Sequence, residues 1–245
     1  WCISNLRYYC VSFHNLKYMK KFILSITIFF LSNVQSLSHV EHYKNFNYLE
    51  YELFRNDKSI GFHKYKFNRD GNNLSIKSEV SFKITKLGVD LYKYFAKSEE
   101  NYVKGKFKSY SSKTKQNKKD RYVNIEVDKN NNYLIIDGSS YKGKASKDFI
   151  VGTWWNHEII KANAQISGIS GRIIDQTVTF LGKEEIKIKD KTYKTLHFNF
   201  KSSDETLPDS KKLNTDIWYE EDTYLWVKAA FKKTGYWEYR IKKVN

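Results

Sequence analysis

The residues best able to do chemistry lie in one stretch, Thr153-Trp154-Trp155-Asn156-His157-Glu158. A histidine beside an apolar platform can serve as an acid or base near neutral pH. An aromatic wall can equally hold an apolar ligand. Trp218, in Asp216-Ile217-Trp218-Tyr219, offers a second such wall. Trp154, Trp155, His157 and Trp218 are therefore read as a ligand-binding set, and no catalytic residue is assigned. Glu158 is expected to point away from His157 on a helix. Gly168-Ile169-Ser170-Gly171 lacks the spacing of a nucleophile elbow, and no glycine run has the pattern of a phosphate loop. Carboxylates occur as sequence neighbours, as in Glu99-Glu100 and Glu184-Glu185. Adjacent strand residues face opposite sides, so none forms an acid/base pair by itself.

A metal centre needs converging His, Asp or Glu. No two of His39, His42, His63, His157 and His197 stand at a ligand spacing within one strand or helix. An amine-plus-imidazole copper site at His39 would need a cleaved, ordered terminus, and termini are usually solvated. No metal and no cofactor are expected.

The elements that must position these residues read as strands. In 73–84 the apolar residues Leu74, Ile76, Val80, Phe82 and Ile84 all fall on even positions. Val123, Ile125 and Val127 alternate in the same way, as do Leu196, Phe198 and Phe200, and Val227, Ala229 and Phe231. Period-2 alternation places one face on a core and one in water, as in antiparallel sheets. Turn residues interrupt these runs at Arg69–Asn72, Lys129–Asn132, Asp137-Gly138, Lys189–Lys191, Glu221-Asp222 and Lys233–Gly235. Segment 87–103 fits a helix or a long strand, and strand is preferred. A short helix capped by Thr153 is expected over 153–162, and Ser202–Lys212 reads as a loop. The fold expected is all-β: a single strongly curved antiparallel sheet, barrel or half-barrel, with that one short helix.

The chain has 43 Lys and Arg against 27 Asp and Glu, a formal charge of +16. A basic surface can attract anionic partners, but the lysines are spread along the strands rather than clustered, so nucleic-acid binding is not expected. Both cysteines, Cys2 and Cys10, precede the single methionine, Met19. From Met19 onward the order is a basic Met19-Lys20-Lys21, an apolar Phe22–Leu31 and a small-residue site at Ser36-Leu37-Ser38. That is the order of a secretory signal peptide. The apolar run is about half the ~20 residues of a membrane span. Residues 19–38 are thus read as a signal peptide, 39–245 as a β-rich periplasmic domain with no stable span after cleavage, and 1–18 as a non-native upstream extension. The alternative is that 1–18 are native and Phe22–Leu31 belongs to a membrane anchor. With cleavage, disulfides and thiol chemistry leave the exported domain.

Taken in order, Ile60-Gly61-Phe62-His63, Ser78-Glu79-Val80, Thr153–His157, Asp216–Tyr219 and the final strand at Gly235–Lys242 resemble an uncharacterised family of Gram-negative exported proteins, domain of unknown function 6134. The resemblance runs from about Tyr48 to Val244. His157 departs from it, since such proteins often carry proline after the central Trp-Asn. The resemblance implies a periplasmic β-rich fold and no particular activity. The functional expectation is a non-enzymatic, barrel-like periplasmic protein holding a lipid or other hydrophobic small molecule in its concave face. Two alternatives stay open: a structural or envelope-interaction protein with a packed core, and a hydrolase-type enzyme using His157.

Overall fold

The computed structural model describes residues 43–245 apart from Asn131; the expected signal peptide and upstream extension lie outside the described residues. One sheet of fifteen strands makes up the fold. The first eight are β1 (Tyr48–Arg55), β2 (Lys58–Asp70), β3 (Asn73–Lys86), β4 (Val89–Val103), β5 (Lys106–Gln116), β6 (Lys119–Val127), β7 (Tyr133–Gly138) and β8 (Lys142–Ser146). The second group is β9 (Ile150–Val151), β10 (Ala164–Ile166), β11 (Ile173–Ile188), β12 (Lys191–Ser202), β13 (Asn214–Glu220), β14 (Trp226–Lys232) and β15 (Tyr236–Val244). Their order in the sheet is β8-β7-β6-β5-β4-β3-β2-β1-β15-β14-β13-β12-β11-β10-β9. The first group is a meander, the second is one from β10 onward, and the two meet through the antiparallel pair β1–β15. Every pairing is antiparallel except β9–β10.

The expected curved antiparallel sheet is therefore present, and it is not closed. Its two edges are β8 and β9. The turn after β10 spans part of the gap between them, where Ser140 N–H donates to Ser170 C=O at 2.9 Å. Segment 87–103 is a strand beyond its first two residues, as preferred. The expected helix over 153–162 is instead a five-residue 3₁₀ turn, His157–Lys161. Its cap is Asn156 rather than Thr153, with Asn156 Oδ1 accepting from Glu158 N–H at 3.2 Å. The helix cannot begin earlier because Trp154 has φ +56°, outside the right-handed helical region.

Tight turns account for much of the regularity. Asn56-Asp57, Leu87-Gly88 and Lys104-Gly105 each have both residues at positive φ, the two-residue hairpin geometry that matches strand twist. Gly61 serves a different end. A side chain there would bring its Cβ to 2.1 Å from the Ser81 carbonyl oxygen, so only glycine lets β2 and β3 approach.

Inward positions carry the aromatics. Tyr51, Tyr65, Phe67, Trp155, Tyr219 and Trp226 are buried together, with Trp226 stacked on Tyr51 at 3.9 Å between ring centroids. Each such ring pair contributes about 0.5–1.5 kcal/mol beyond the area it buries. A second, mostly aliphatic cluster forms where Val151 of β9 and Ile166 of β10 pack on Val123, Ile125, Leu134 and Ile136.

A candidate binding cavity beneath the Thr153–Trp155 turn

The segment joining β9 to the 3₁₀ turn crosses the concave face, so its backbone needs partners other than a strand. Tyrosines supply them. Tyr65 Oη donates to Thr153 C=O at 2.7 Å, and Tyr219 Oη to Trp154 C=O at 2.9 Å. Further along, Tyr110 Oη and Ser112 Oγ both donate to Gly168 C=O, at 3.0 and 2.5 Å. Burial raises the Tyr65 phenol well above its ordinary pKa and Tyr110 to about 12, so both remain donors across the physiological range.

Thr153, Trp154 and Trp155 form a three-residue turn, closed by Trp155 N–H to Thr153 C=O at 2.7 Å. Trp154 is its apex. A bulky residue at positive φ is costly and persists only where its surroundings hold it. Here the Trp154 indole meets Trp226 and Tyr239 edge-on, at centroid distances of 5.3 and 5.5 Å.

Below this turn the strand register leaves space. Tyr65, Ser78, Ser98 and Ser112 lie side by side across β2 to β5, as do His63, Val80, Ala96 and Thr114. Small side chains in neighbouring rows cannot fill the concave face. The result is a cavity of about 210 Å³ walled by these residues, Tyr94, Trp154, Gln165 and Tyr239. Its walls mix aromatic rings with hydroxyl, amide and imidazole groups. His63 Nε2 lies 2.8 Å from Ser78 Oγ. Among the described residues, His63 Nδ1 has no hydrogen-bond partner, and Thr114 Oγ1 has none of good geometry, although the Tyr94 phenol is near enough to interact with it. Both atoms are shut off from bulk solvent. Desolvation holds the His63 imidazole neutral, with its pKa lowered to about 3.

On the far side of the turn lies Glu100, an inward residue of β4 that is fully buried. Its carboxylate accepts from Tyr102 Oη at 2.5 Å, Trp155 Nε1 at 2.9 Å and Thr153 Oγ1 at 3.4 Å. Burial raises its pKa to about 7, against the opposing pull of those three donors. Glu99, its sequence neighbour, faces outward as strand alternation requires and accepts from Ser75 Oγ at 2.8 Å.

The four residues singled out from the sequence occupy four different settings. Trp154 lines the cavity. Trp155 lies behind it in the core, edge-on to Tyr43, Phe67 and Tyr102. His157 is buried beside the turn, stacked on Tyr224 at 4.6 Å. Its Nε2 is 3.3 Å from Glu158 Oε1, so Glu158 does not point away from it as expected on a helix. Glu158 also binds Lys161 Nζ through both oxygens. Trp218 is on the outer face of the sheet, since its neighbours Ile217 and Tyr219 are the inward residues of β13. It stacks on His197 at 4.1 Å and carries Lys228 Nζ 4.8 Å above its ring.

His63 and Glu100, weighed in the sequence only as a possible metal ligand and as half of a carboxylate pair, and Thr114, which was not considered, were not assigned to the binding set. Each interrupts an inward row that is otherwise apolar, aromatic or small, and that misplaced polarity is the signal that marks them. No group of three His, Cys, Asp or Glu gathers to hold a metal among the described residues.

His63 and Ser78 resemble a nucleophile and its base, yet the arrangement is poorly suited to catalysis. A general base works best with a pKa near the working pH, and that of His63 lies several units below it. Among the described residues no third group orients its Nδ1.

A comparison with proteins of curated function returns no match. Among solved structures the fold is similar to the crystal structure of a β-barrel-like protein of domain of unknown function DUF1849 from Brucella abortus. The TM-score is 0.56 at 8% identity, with 81% of this chain and 96% of that chain covered. That likeness is one of fold. The family model described as "Domain of unknown function (DUF6134)" matches residues 51–242, well over half of the chain, and the chain belongs to that family.

Proposed function

We propose that this protein binds a small amphipathic molecule in the cavity beneath the Thr153–Trp155 turn and performs no chemistry on it. The observation that carries this reading is the pairing of aromatic walls with two buried polar atoms, His63 Nδ1 and Thr114 Oγ1, that the protein itself leaves without well-formed hydrogen bonds. Each such atom costs about 1–3 kcal/mol; both have under 1 Å² of accessible surface, so a ligand carrying a donor and an acceptor recovers that cost once the side chains beside them shift to expose them. The cavity is smaller than the ~300–1,000 Å³ of drug-sized sites. It suits a compact polar group with a short apolar body better than a long acyl chain.

Native mass spectrometry of protein purified without denaturation tests this reading, together with uptake of a short-chain fluorescent fatty acid. Wild type is expected to carry a ligand mass or take up the probe. His63→Ala combined with Thr114→Val should weaken binding at least tenfold. No adduct and no uptake, or equal binding by the double variant, would favour the packed-core envelope protein instead.

The same reading places the protein in the periplasm, exported through residues 19–38. The support is the order of basic, apolar and small residues there. N-terminal sequencing of protein from fractionated Gram-negative cells should find a chain beginning at His39 or Leu37 in the periplasmic fraction. A cytoplasmic chain retaining Met19 would count against it.

A further inference from the structure

The hairpin between β3 and β4 runs past both of its neighbouring strands. β2 pairs with β3 only as far as Phe82, and β5 pairs with β4 only from Tyr94 onward. Residues 84–92 therefore project beyond both neighbouring strands as a two-stranded ribbon. Its apex is Leu87-Gly88, with φ +51° and +77°. Such turns favour Asn or Asp at the first position, and left-handed backbone costs a residue with a branched side chain roughly 1–2 kcal/mol. Asn56, Lys104, Asn117 and Lys189 take that conformation elsewhere in the molecule. Among the described residues Leu87 is the sole aliphatic one to do so.

That leucine is also 95% exposed, with Val89 62% and Leu91 55% exposed beside it. The register shift between Ile84 and Thr85 makes Leu91 the extra residue of a bulge, which turns the tip relative to the sheet. A soluble hairpin tip gains nothing from three exposed aliphatic residues and a strained leucine.

A collar of lysines surrounds them. Lys86 is paired with Val89 at the base of the apex, and Lys83, four residues before Leu87, faces Lys93. At about 3.3 Å per residue that pair sits roughly 13 Å behind the tip. The one acid of the ribbon, Asp90, is engaged by Lys93 at 3.1 Å, Lys83 at 3.9 Å and the Thr85 hydroxyl at 2.7 Å. The collar therefore keeps a net positive charge. Phe95, still exposed on the same face of β4, follows directly behind it.

We infer that the β3–β4 tip docks on an anionic lipid surface. An apolar apex with Lys86 at its base and Lys83 and Lys93 roughly 13 Å behind it fits the interfacial zone, where apolar groups sink ~5–10 Å and cations stay among the headgroups. The lysine stems span the distance between the two, and the charge of the ring selects anionic lipid over neutral.

Vesicle flotation at low salt tests the assignment. The vesicles are phosphatidylcholine alone and phosphatidylcholine with one quarter phosphatidylglycerol. Wild type is expected to float with the anionic vesicles and not with the neutral ones. Leu87→Asn with Leu91→Ser should lose association at least tenfold. It should unfold at or above the wild-type temperature, because Asn-Gly suits the turn. Lys83→Gln with Lys86→Gln should weaken association about 30-fold, as the attraction of two lysines implies. Equal flotation with both vesicle types, none with either, or wild-type binding by the apolar variant overturns the proposal. So does sedimentation of wild type as a dimer that the apolar variant converts to monomer, which would make the tip a contact between two copies.

Discussion

Trp155→Ala is expected to remove about 4–5 kcal/mol of stability, the largest loss from any single change around the cavity. Trp155 is 1% exposed and contacts three aromatic rings. Truncating a buried tryptophan costs about 3–5 kcal/mol through lost transfer energy and the void left behind. A further loss falls on Glu100, which forfeits its Nε1–H donor while staying buried. An unsatisfied buried group costs about 1–3 kcal/mol, although neighbouring losses of this kind do not add fully. The sum approaches the whole stability of a small domain, ~5–15 kcal/mol. Urea denaturation followed by circular dichroism measures it. Trp155→Phe separates the two contributions, since it keeps most of the packing and removes only the donor. A loss above 1 kcal/mol for the phenylalanine variant would assign that part to Glu100. A loss under 2 kcal/mol for alanine would show that the Thr153–Trp155 segment is not anchored as described.

The second large effect is on pH dependence, where Glu100 and His63 act in opposite directions. The Glu100 pKa rises from an ordinary 4.5 to about 7 on folding. Between those values the unfolded chain has given up a proton that the folded protein keeps. Stability from this group is fully present below pH 4.5 and is lost as pH rises through 7, on the order of 3 kcal/mol in all. The His63 pKa falls from 6.5 to about 3. Between those values the unfolded chain holds a proton that the folded protein refuses. Stability from this group is fully present above pH 6.5 and is lost as pH falls through 3, by several kcal/mol. From pH 4.5 to 6.5 the two slopes cancel. Glu100→Gln should expose the rising His63 limb across that interval, and His63→Asn the falling Glu100 limb. Urea midpoints at half-unit steps from pH 4 to 8 read both. The slopes are the measurement, because a glutamine amide at position 100 opposes one of its three donors and shifts the whole curve. Parallel profiles for wild type and both variants would mean that neither group titrates as its burial requires.

Much of the sheet was legible because alternation is a property of single strands. The even positions of 73–84 face inward as read, and the loop at Ser202–Lys212 lies between β12 and β13. What alternation cannot supply is register. Ser78, Ser98 and Ser112 look like unrelated small residues until pairing sets them in one row, and only then is there a cavity. His63 and Glu100 were hidden for the same reason, since each is a single polar residue whose meaning lies in what faces it across the sheet. The tryptophans misdirected attention through their proximity in sequence: Trp154 and Trp155 are neighbours in the chain, yet one lines the cavity and the other fills the core. The helix expected over 153–162 failed on one dihedral angle, that of Trp154, which composition does not reveal.

The meeting of β1 and β15 in the middle of the sheet has a consequence for how the chain acquires its shape. Neighbouring strands elsewhere are joined by short turns or by links of at most twelve residues, so each group can assemble locally and early. The pair Arg55 with Trp237 must close a loop of more than 180 residues, the kind of non-local contact that slows folding. Until β15 arrives, β1 presents an open edge whose Leu49, Tyr51 and Leu53 are among the most buried side chains of the finished protein. Such an edge is a template for pairing with a stranger. The seam at the centre of the sheet, rather than either of its free ends, is where an incomplete molecule is most exposed to aggregation.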